Sequence, residues 1–209
     1  LYKDYQLFLK NNHHTKIVLM PNMLLSLPKK TSNLEKKEII TMSRLDYGKK
    51  NDDIIKAFAK TNYHDWHLSI LGDGPEYENL SNLIKELHLE NNVSLEGYIP
   101  KEKLEKYLLN SSIFLMASLT EGLPMVLLEA MSYGIPCIAY ETASGVNDII
   151  DDSKNGYVIK ERNELQYIKR LQHLMDDPVL RKRMSKEAIK KAEKFSKENI
   201  LKKWYNILK

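Results

Sequence analysis

Short apolar runs rich in β-branched residues alternate along the chain with stretches whose apolar residues recur at helical spacing. The short runs predict buried strands, and the helical spacing predicts amphipathic helices between them. This alternation is typical of βαβ units, in which a mainly parallel sheet carries helices on both faces. We therefore predict an α/β protein of the doubly wound class. The predicted strands cover residues 16–20, 38–43, 67–71, 92–97, 112–117 and 136–139.

The alternation ends after Tyr157, Val158 and Ile159, and the remaining residues show only helical periodicity. We predict two or three amphipathic helices there, each with an apolar face that packs on another surface. Residues 21–37 contain two prolines and little periodicity, which is typical of a linker and predicts a domain boundary near Pro21. The chain length suits one large domain with appended helices rather than two full domains.

Charge and composition are those of an ordinary globular domain. The chain has 32 Lys and Arg against 28 Asp and Glu, and the resulting net charge of +4 is too small and too scattered to predict binding to nucleic acid. The densest basic stretch, residues 181–191, is interrupted by Glu187 and by regularly spaced apolar residues. We interpret it as a solvated helix face rather than as a patch for phosphate or an anionic membrane.

Cys137 is the single cysteine and lies in an apolar stretch, which excludes an intramolecular disulfide and predicts a buried, inert thiol in a reducing compartment. The histidines show no metal-ligand spacing, so we expect no metal site. No apolar run approaches the ~20 residues of a membrane span, and neither a nucleophile elbow nor a Walker-type loop occurs. Because the chain begins with Leu1 and not methionine, we expect it to be cut from a longer protein.

The most informative segment runs from Glu121 to Gly134, directly after the predicted strand 112–117. Pro124 suits the first turn of a helix and Gly134 suits a left-handed stop, so we predict a helix of about ten residues at a strand end where ligands bind. Glu129 has apolar neighbours, and its carboxylate needs donors, either a sugar's vicinal hydroxyls or a neighbouring backbone or arginine. Glu121 is either a ligand contact or an acidic residue that favours the helix dipole.

Two more predicted strand ends carry candidate binding residues. Arg44, Lys49 and Lys50 precede a helix that begins near Asp52, and cations beside free backbone amides suit a diphosphate. Taken in isolation, the motif is more often a solvated surface loop. Residues 71–75 end the next strand with two glycines, which either let a ligand approach the backbone or form a tight turn. They lack the full dinucleotide fingerprint, so we predict no nicotinamide site.

Taken in order, these segments resemble the C-terminal domain of the large retaining glycosyltransferase family four, whose GT-B architecture has two facing Rossmann-like domains. The resemblance runs from residues 20–22, which are similar to the family's interdomain linker, to Trp204 in its final helix. Glu121 and Glu129, separated by seven residues, are the family's strongest signature. The segments between are Ser43-Arg44-Leu45 with Lys49, Leu71-Gly72-Asp73-Gly74-Pro75, and Gly97-Tyr98.

The resemblance implies a Rossmann-like doubly wound sheet with C-terminal helices, as in the GT-B C-terminal domain. Residues 1–21 would end the N-terminal domain and form the interdomain linker, and residues 22–194 would form the domain that binds a nucleotide sugar. Residues 195–209 would form a helix that returns towards an N-terminal domain missing from this chain.

The resemblance also implies a role for each motif residue. Arg44 and Lys49 would hold the diphosphate of the donor and Glu121 would face its sugar, and these three are the catalytic candidates. Glu129 would accept hydrogen bonds from the ribose hydroxyls. Backbone groups would make the remaining donor contacts, with phosphate and sugar oxygens at residues 123–126 and with the base near Tyr98. The other donor-binding candidates are Gly72, Gly74, Tyr98, Ile99, Gly122, Leu123, Pro124, Met125 and Val126.

Three positions depart from the family's usual pattern. Ser43 stands where glycine usually precedes the arginine, Lys50 where glycine often follows the lysine, and Asp148 where glutamate is frequent. The first two departures leave open whether Lys49 or Lys50 meets the phosphate. We favour Lys49 because it keeps the usual distance to the following helix.

As to function, the resemblance implies retaining transfer of a sugar from a nucleoside diphosphate sugar, with UDP as the expected nucleotide, to an acceptor hydroxyl in glycan or cell-surface polysaccharide synthesis. No cofactor or metal is expected. The acceptor would be a glycan or a lipid-linked acceptor bound through the missing domain, and the protein would be cytoplasmic, with peripheral association of the full-length protein at the inner face of the membrane. The alternatives are a non-catalytic nucleotide-sugar-binding module and a sugar epimerase or phosphorylase of similar architecture.

Overall fold

The computed structural model describes residues 6, 8, 9 and 18–208 of the chain. Six parallel strands form one sheet in the order β3-β2-β1-β4-β5-β6. This order confirms the doubly wound class, because the chain first builds outward from β1 on one side and then continues from β4 on the other. The strands are β1 Glu38–Met42, β2 His67–Leu71, β3 Val93–Gly97, β4 Ile113–Met116, β5 Cys137–Tyr140 and β6 Gly156–Ile159.

The predicted strand at residues 16–20 has no counterpart in the sheet. Residues 18–20 have no regular secondary structure, and residues 16 and 17 lie outside the described part of the chain. The other five predicted strands are confirmed with ends shifted by a residue at most, and the apolar run at 157–159 is the sixth strand.

Helices cover both faces of the sheet, as the alternating pattern predicts. Short 3-10 turns at Tyr47–Lys49 and Lys160–Arg162 lie between some of the regular elements. The α-helices of residues 18–208 are α1 Asn51–Ala59, α2 Tyr77–Glu86, α3 Lys101–Asn110, α4 Met125–Ser132, α5 Val146–Ile149, α6 Glu164–Asp176, α7 Pro178–Glu193 and α8 Lys197–Leu208.

Neighbouring residues of each strand point to opposite faces, and the core is divided accordingly. Ile39 and its neighbours pack with α1, α2 and α6, whereas Ile40 and its neighbours pack with α3, α4 and α5. The long helix α7 contributes buried residues to both cores. Two apolar layers, one on each face, therefore fix the sheet.

The segment before β1 is packed against the domain. Leu24 is buried, its N–H donates to the oxygen of Phe195, and its own oxygen accepts from the N–H of Lys197. The Ser32 hydroxyl donates to the Ser111 oxygen at 2.7 Å. These bonds attach residues 24–32 to the body of the domain and to the start of α8. The boundary near Pro21 and the division of the chain into three parts stay predictions.

The basic stretch is a solvated face only in part. Lys182, Arg183 and Lys186 are exposed, but Arg181 is buried and donates to the oxygens of Leu174 and Met175 at 2.5 and 3.0 Å. Lys191 is also largely buried, with its Nζ 2.9 Å from Asp151 Oδ1, and Arg181 caps the carboxyl end of α6. A separate expectation, the buried Cys137 thiol, is confirmed, and burial raises its pKa.

Polar side chains replace apolar packing on part of the sheet face that carries α3. Ser69 Oγ donates to Glu38 Oε1 at 2.5 Å, and Tyr107 Oη donates to Glu96 Oε2 at 2.7 Å. Burial raises the pKa of the Glu38 carboxyl, the negative charge of Glu96 adds to the rise, and the bond from Ser69 opposes it. Ionised Glu38 therefore lowers the stability of the fold at neutral pH.

We expect Glu38→Gln to raise the thermal midpoint at pH 7 by about 2–4 °C, the shift that about 1 kcal/mol produces in a domain of this size. The pKa of Glu38 is higher in the folded than in the unfolded state, so stability falls as pH rises through the window between the two. The gain should vanish below the unfolded-state pKa, where the wild-type carboxyl is protonated in both states. Calorimetry across pH measures this, with Glu90→Gln at an exposed glutamate as control, and a gain that is independent of pH would contradict it.

Candidate functional site

The strand order reverses between β1 and β4, and the loops that follow these two strands meet at the carboxyl edge of the sheet. The N–H of Leu119, in the loop after β4, donates to the oxygen of Gly48, in the loop after β1, at 2.8 Å. Crevices at such topological switch points are where ligands bind in open α/β sheets. The loops after β1 and β4 therefore form the two sides of the candidate site.

Backbone hydrogen bonds also join the loops after β1, β2 and β3. The N–H of Ser43 donates to the Leu71 oxygen at 3.0 Å, and the N–H of Gly72 donates to the Gly97 oxygen at 2.8 Å. A Cβ on Gly72 would lie 1.8 Å from the Ser43 oxygen, and one on Gly74 would lie 2.4 Å from the Leu45 oxygen. Both glycines are thus required by contact between two protein loops, with no ligand needed to explain them.

Two adjoining cavities open along this edge. The first has a volume of about 290 Å³ and lies between the β1 and β4 loops, where Lys49 and Glu121 line it. The second has a volume of about 400 Å³ and lies over the ends of β1, β2 and β3, where Tyr98 and Glu129 line it. Arg44 lines both cavities, so they form one continuous depression, which we call the strand-end cleft.

Two of the predicted site residues are paired with each other. Lys49 Nζ lies 2.7 Å from Glu121 Oε1, and the two side chains are 29% and 15% exposed. The paired residues are 72 positions apart in sequence and come from opposite sides of the switch point. Arg44, in contrast, is exposed and has no ion-pair partner within residues 18–208. The first cavity thus holds one neutralised cation and one uncompensated cation.

Lys50 points away from the strand-end cleft. Its Nζ lies 3.8 Å from the centre of the Tyr47 ring and 3.9 Å from Asp52 Oδ1, on the far side of the loop. The backbone of Lys50 is left-handed, with φ of 53°. This turn directs the two adjacent lysines to different sides, which agrees with the choice of Lys49 over Lys50 as the phosphate candidate.

Glu129 is a half-buried carboxylate at the wall of the second cavity. Within the described residues its side chain accepts no hydrogen bond, which removes the interpretation that a backbone group or an arginine satisfies it. Burial raises its pKa, and the charge of Lys101 only partly offsets this effect. A carboxylate desolvated without donors is costly to the fold and is available for a ligand that brings donors.

The helix that carries Glu129 is α4, which has eight residues rather than about ten. Pro124 is its N-cap, and Gly134 has the predicted left-handed backbone with φ of 75°. The amide end of α4 faces the first cavity, since Leu123, Pro124 and Met125 line it.

Most of the predicted binding residues line the cleft, and two of the predicted glycines do not. Gly74 and Gly122 lie in the predicted loops but outside the cleft walls, whereas Gly72 contributes to the second cavity. The residues of the prediction that do line the cleft are Arg44, Lys49, Gly72, Tyr98, Ile99, Glu121, Leu123, Pro124, Met125, Val126 and Glu129.

Sequence reasoning missed several residues that support the cleft. Asn51 is 3% exposed and donates from Nδ2 to Ser43 Oγ at 3.0 Å, so the serine at the unusual position anchors the loop after β1 to α1. Gly145 packs against the loop after β4, because a Cβ there would lie 2.1 Å from the Gly122 oxygen. Arg162 donates from Nη1 to the Ala117 oxygen at the end of β4 and does not itself line the cleft. None of these contacts has a local sequence signal.

Known proteins share this fold and these segments. The sequence model of the family described as "Glycosyl transferases group 1" matches residues 25–191. The chain belongs to the glycosyl transferases group 1 family. The resemblance found in the sequence is therefore confirmed, and so is the Rossmann-like fold of the GT-B glycosyltransferases.

Among its relatives in this family, an uncharacterized glycosyltransferase of Haemophilus influenzae is 36% identical over 90% of this chain and 53% of its own length. The amylovoran biosynthesis glycosyltransferase AmsD of Erwinia amylovora is 35% identical over 81% of this chain and 47% of its own length. The chain thus spans about half the length of the relatives it matches.

Among solved structures, a mutant of S. aureus TarM in complex with fondaparinux, alpha-GlcNAc-glycerol and UDP superposes with a TM-score of 0.85 at 26% identity. The superposition covers 99% of this chain and 42% of that one.

Within residues 18–208 of the present group 1 chain, no cluster of three or more metal-ligating side chains occurs. In the same described part, no helix has the length and apolar character to cross a bilayer.

Proposed function

We propose that this chain is the donor-binding half of a retaining glycosyltransferase that takes its sugar from a nucleoside diphosphate sugar. The observation that carries the proposal is the distribution of charge along the strand-end cleft. Lys49 and Arg44 line the first cavity, and the carboxylate of Glu129, which has no donor within the described residues, lines the second. A nucleoside diphosphate has the complementary pattern, since its phosphates need cations and its ribose offers two hydroxyl donors.

The charges of the first cavity suit the departure of a diphosphate. Arg44, Lys49 and the amide end of α4 would stabilise the negative charge that develops on the leaving group. Glu121, held beside Lys49, would meet the donor sugar, and the departing phosphate oxygen would take the proton of the acceptor hydroxyl. The chain then contributes positioning and electrostatics, without a cofactor or a metal ion.

UDP is the nucleotide we propose, because the structure of TarM contains it. Polysaccharide synthesis is the proposed context, since AmsD acts in amylovoran biosynthesis by its name. The acceptor, a glycan or a lipid-linked glycan, would be bound by a part of the protein outside these residues, as the relatives are about twice as long.

A non-catalytic nucleotide-sugar-binding module is the second candidate, since the same cleft would serve binding alone. Calorimetric titration with UDP, GDP and ADP sugars tests the binding that both candidates share, and its absence for every nucleotide would reject both. Turnover of a radiolabelled UDP-sugar by the full-length protein separates them. Release of the sugar to an acceptor supports the transferase, and tight binding without turnover supports the module.

We expect Glu129→Ala to weaken UDP binding by about 1.5–3 kcal/mol, the value of hydrogen bonds to a charged group. Because the pKa of Glu129 is raised, wild-type affinity should fall towards acid pH as the carboxylate becomes protonated. Glu129→Gln should bind UDP with intermediate affinity and without this pH dependence. Isothermal titration at several pH values measures both effects.

Glu105→Gln, at an exposed glutamate near α4, is the control and should bind UDP like the wild type. Wild-type affinity in a folded Glu129→Ala variant would exclude the ribose contact.

A further inference from the structure

Arg162 joins three elements behind the strand-end cleft. Its Nη1 donates to the oxygens of Ala117 and Ser118, at 3.0 and 3.3 Å, where β4 ends. Its Nη2 donates to Asp53 Oδ2 in the first turn of α1. The guanidinium also lies 4.3 Å from the centre of the Tyr140 ring at the end of β5. A planar fork with several fixed donors is suited to bridge three acceptors in this way.

Two of the residues that accept from Arg162, Ala117 and Ser118, line the first cavity themselves. Ala117 and Ser118 precede Leu119, whose N–H donates to the Gly48 oxygen directly before Lys49. Asp53 follows the same loop on the other side, and its N–H donates to the Lys50 oxygen at 3.1 Å. The arginine thus holds both sides of the switch point without lining the cleft itself.

The backbone at Arg162 is strained to allow these contacts. Glu161 and Arg162 both have left-handed backbones, with φ of 52° and 48°. Two consecutive residues other than glycine rarely adopt this conformation, and it persists only where the surrounding structure enforces it. The bonds from Arg162 to β4 and α1 provide that enforcement.

We infer that Arg162, together with Asp53, is a positioning residue that sets the separation of the β1 and β4 loops and so the placement of Lys49 opposite Glu121. That this placement serves a diphosphate rests on the proposed function. Arg162 touches no ligand, and its effect passes through the two carbonyls at the end of β4 and through the first turn of α1.

The test compares amide hydrogen exchange in the ligand-free chain and in Arg162→Met, which keeps the aliphatic stem and removes the donors. We expect the Leu119 amide to exchange at least about tenfold faster, while amides of β1 and β5 keep their rates, because only local opening is affected. Lys60→Met is the matched control. It breaks a different ion pair, at 2.6 Å, from Lys60 directly after α1 to Glu164 at the start of α6, and should leave Leu119 exchange unchanged.

Asp53→Asn removes only the carboxylate that accepts from Arg162 and should raise Leu119 exchange by a smaller factor. It is the test variant if Arg162→Met does not fold. Arg162→Lys keeps one donor group and should recover part of the protection. Unchanged Leu119 exchange in a folded variant would overturn the inference, as would an equal rise throughout the sheet, which would show a loss of stability alone.

A second measurement concerns the ligand. UDP affinity should fall about tenfold in Arg162→Met while uridine affinity stays the same, since only the diphosphate meets Lys49 and Arg44. An equal loss for UDP and uridine would overturn the inference. If the wild-type chain binds no nucleotide, the proposed function fails, and the exchange comparison still decides the role of Arg162.

Discussion

Lys49→Met should weaken UDP binding by about 100-fold and Arg44→Met by only about 30-fold, with uridine binding unchanged in both variants. Each substitution removes a cation from the diphosphate, and a charge-assisted hydrogen bond contributes about 1.5–3 kcal/mol. Loss of Lys49 has a further cost, because Glu121 Oε1 lies 2.7 Å from its Nζ and is left without this partner beside a dianionic ligand. Arg44 has no such partner within the described residues.

A double-mutant cycle isolates this further cost. Glu121→Gln in the Lys49→Met background should restore UDP affinity by about threefold or more, since the unpaired carboxylate is neutralised. Lys50→Met is the control and should bind UDP within about twofold of the wild type, because Lys50 lies over Tyr47 outside the cleft. Equal losses from Lys49→Met and Lys50→Met would show that the lysine has been assigned wrongly. Isothermal titration with UDP and uridine provides all the affinities.

The strands of the sheet and the helices that pack on its faces could be predicted because each has an apolar pattern of its own. Ile39 and Ile40 alternate between two cores, and Ile54, Ile55 and Phe58 recur at helical spacing on α1. The run at 16–20 has the same local pattern, yet residues 18–20 are not part of a strand. Strand formation needs a neighbour with which to pair, and the apolar pattern carries no information about that partner.

The motifs of the cleft could be located from the sequence, but their contacts could not. Gly72 and Gly74 were expected either to let a ligand approach or to form a tight turn, whereas the group that approaches them is the backbone of Ser43 and Leu45. Arg162 is 45 residues from Ala117 in sequence and lies in a short turn, where nothing distinguishes it from a solvated arginine. Side-chain pairing over such separations is set by the topology of the sheet.

The 209 residues assayed alone should bind a UDP-sugar but transfer the sugar to no acceptor at a useful rate. The strand-end cleft supplies cations for the diphosphate through Arg44 and Lys49, and Glu129 for the ribose, so binding needs no further domain. Transfer also needs an acceptor hydroxyl held about 3–3.5 Å from the anomeric carbon, and such positioning accounts for about 7–11 kcal/mol of a reaction barrier. A longer protein that provides it should be faster by a factor on the order of 10⁵.

The helix α8 indicates where another part of a longer protein could pack. Ile200 is buried against the domain, whereas Trp204 and Leu208, on the same helix, are 44% and 77% exposed. Uncovered apolar side chains of this kind favour self-association, so we also expect marginal solubility of the 209 residues. Radiolabelled UDP-glucose, UDP-galactose and their N-acetylated forms, each supplied with extracted lipid-linked glycans, measure transfer by the 209 residues and by the full-length protein. Acceptor-dependent transfer by the 209 residues at the full-length rate would contradict the prediction, because the reaction would then need no residues outside this chain.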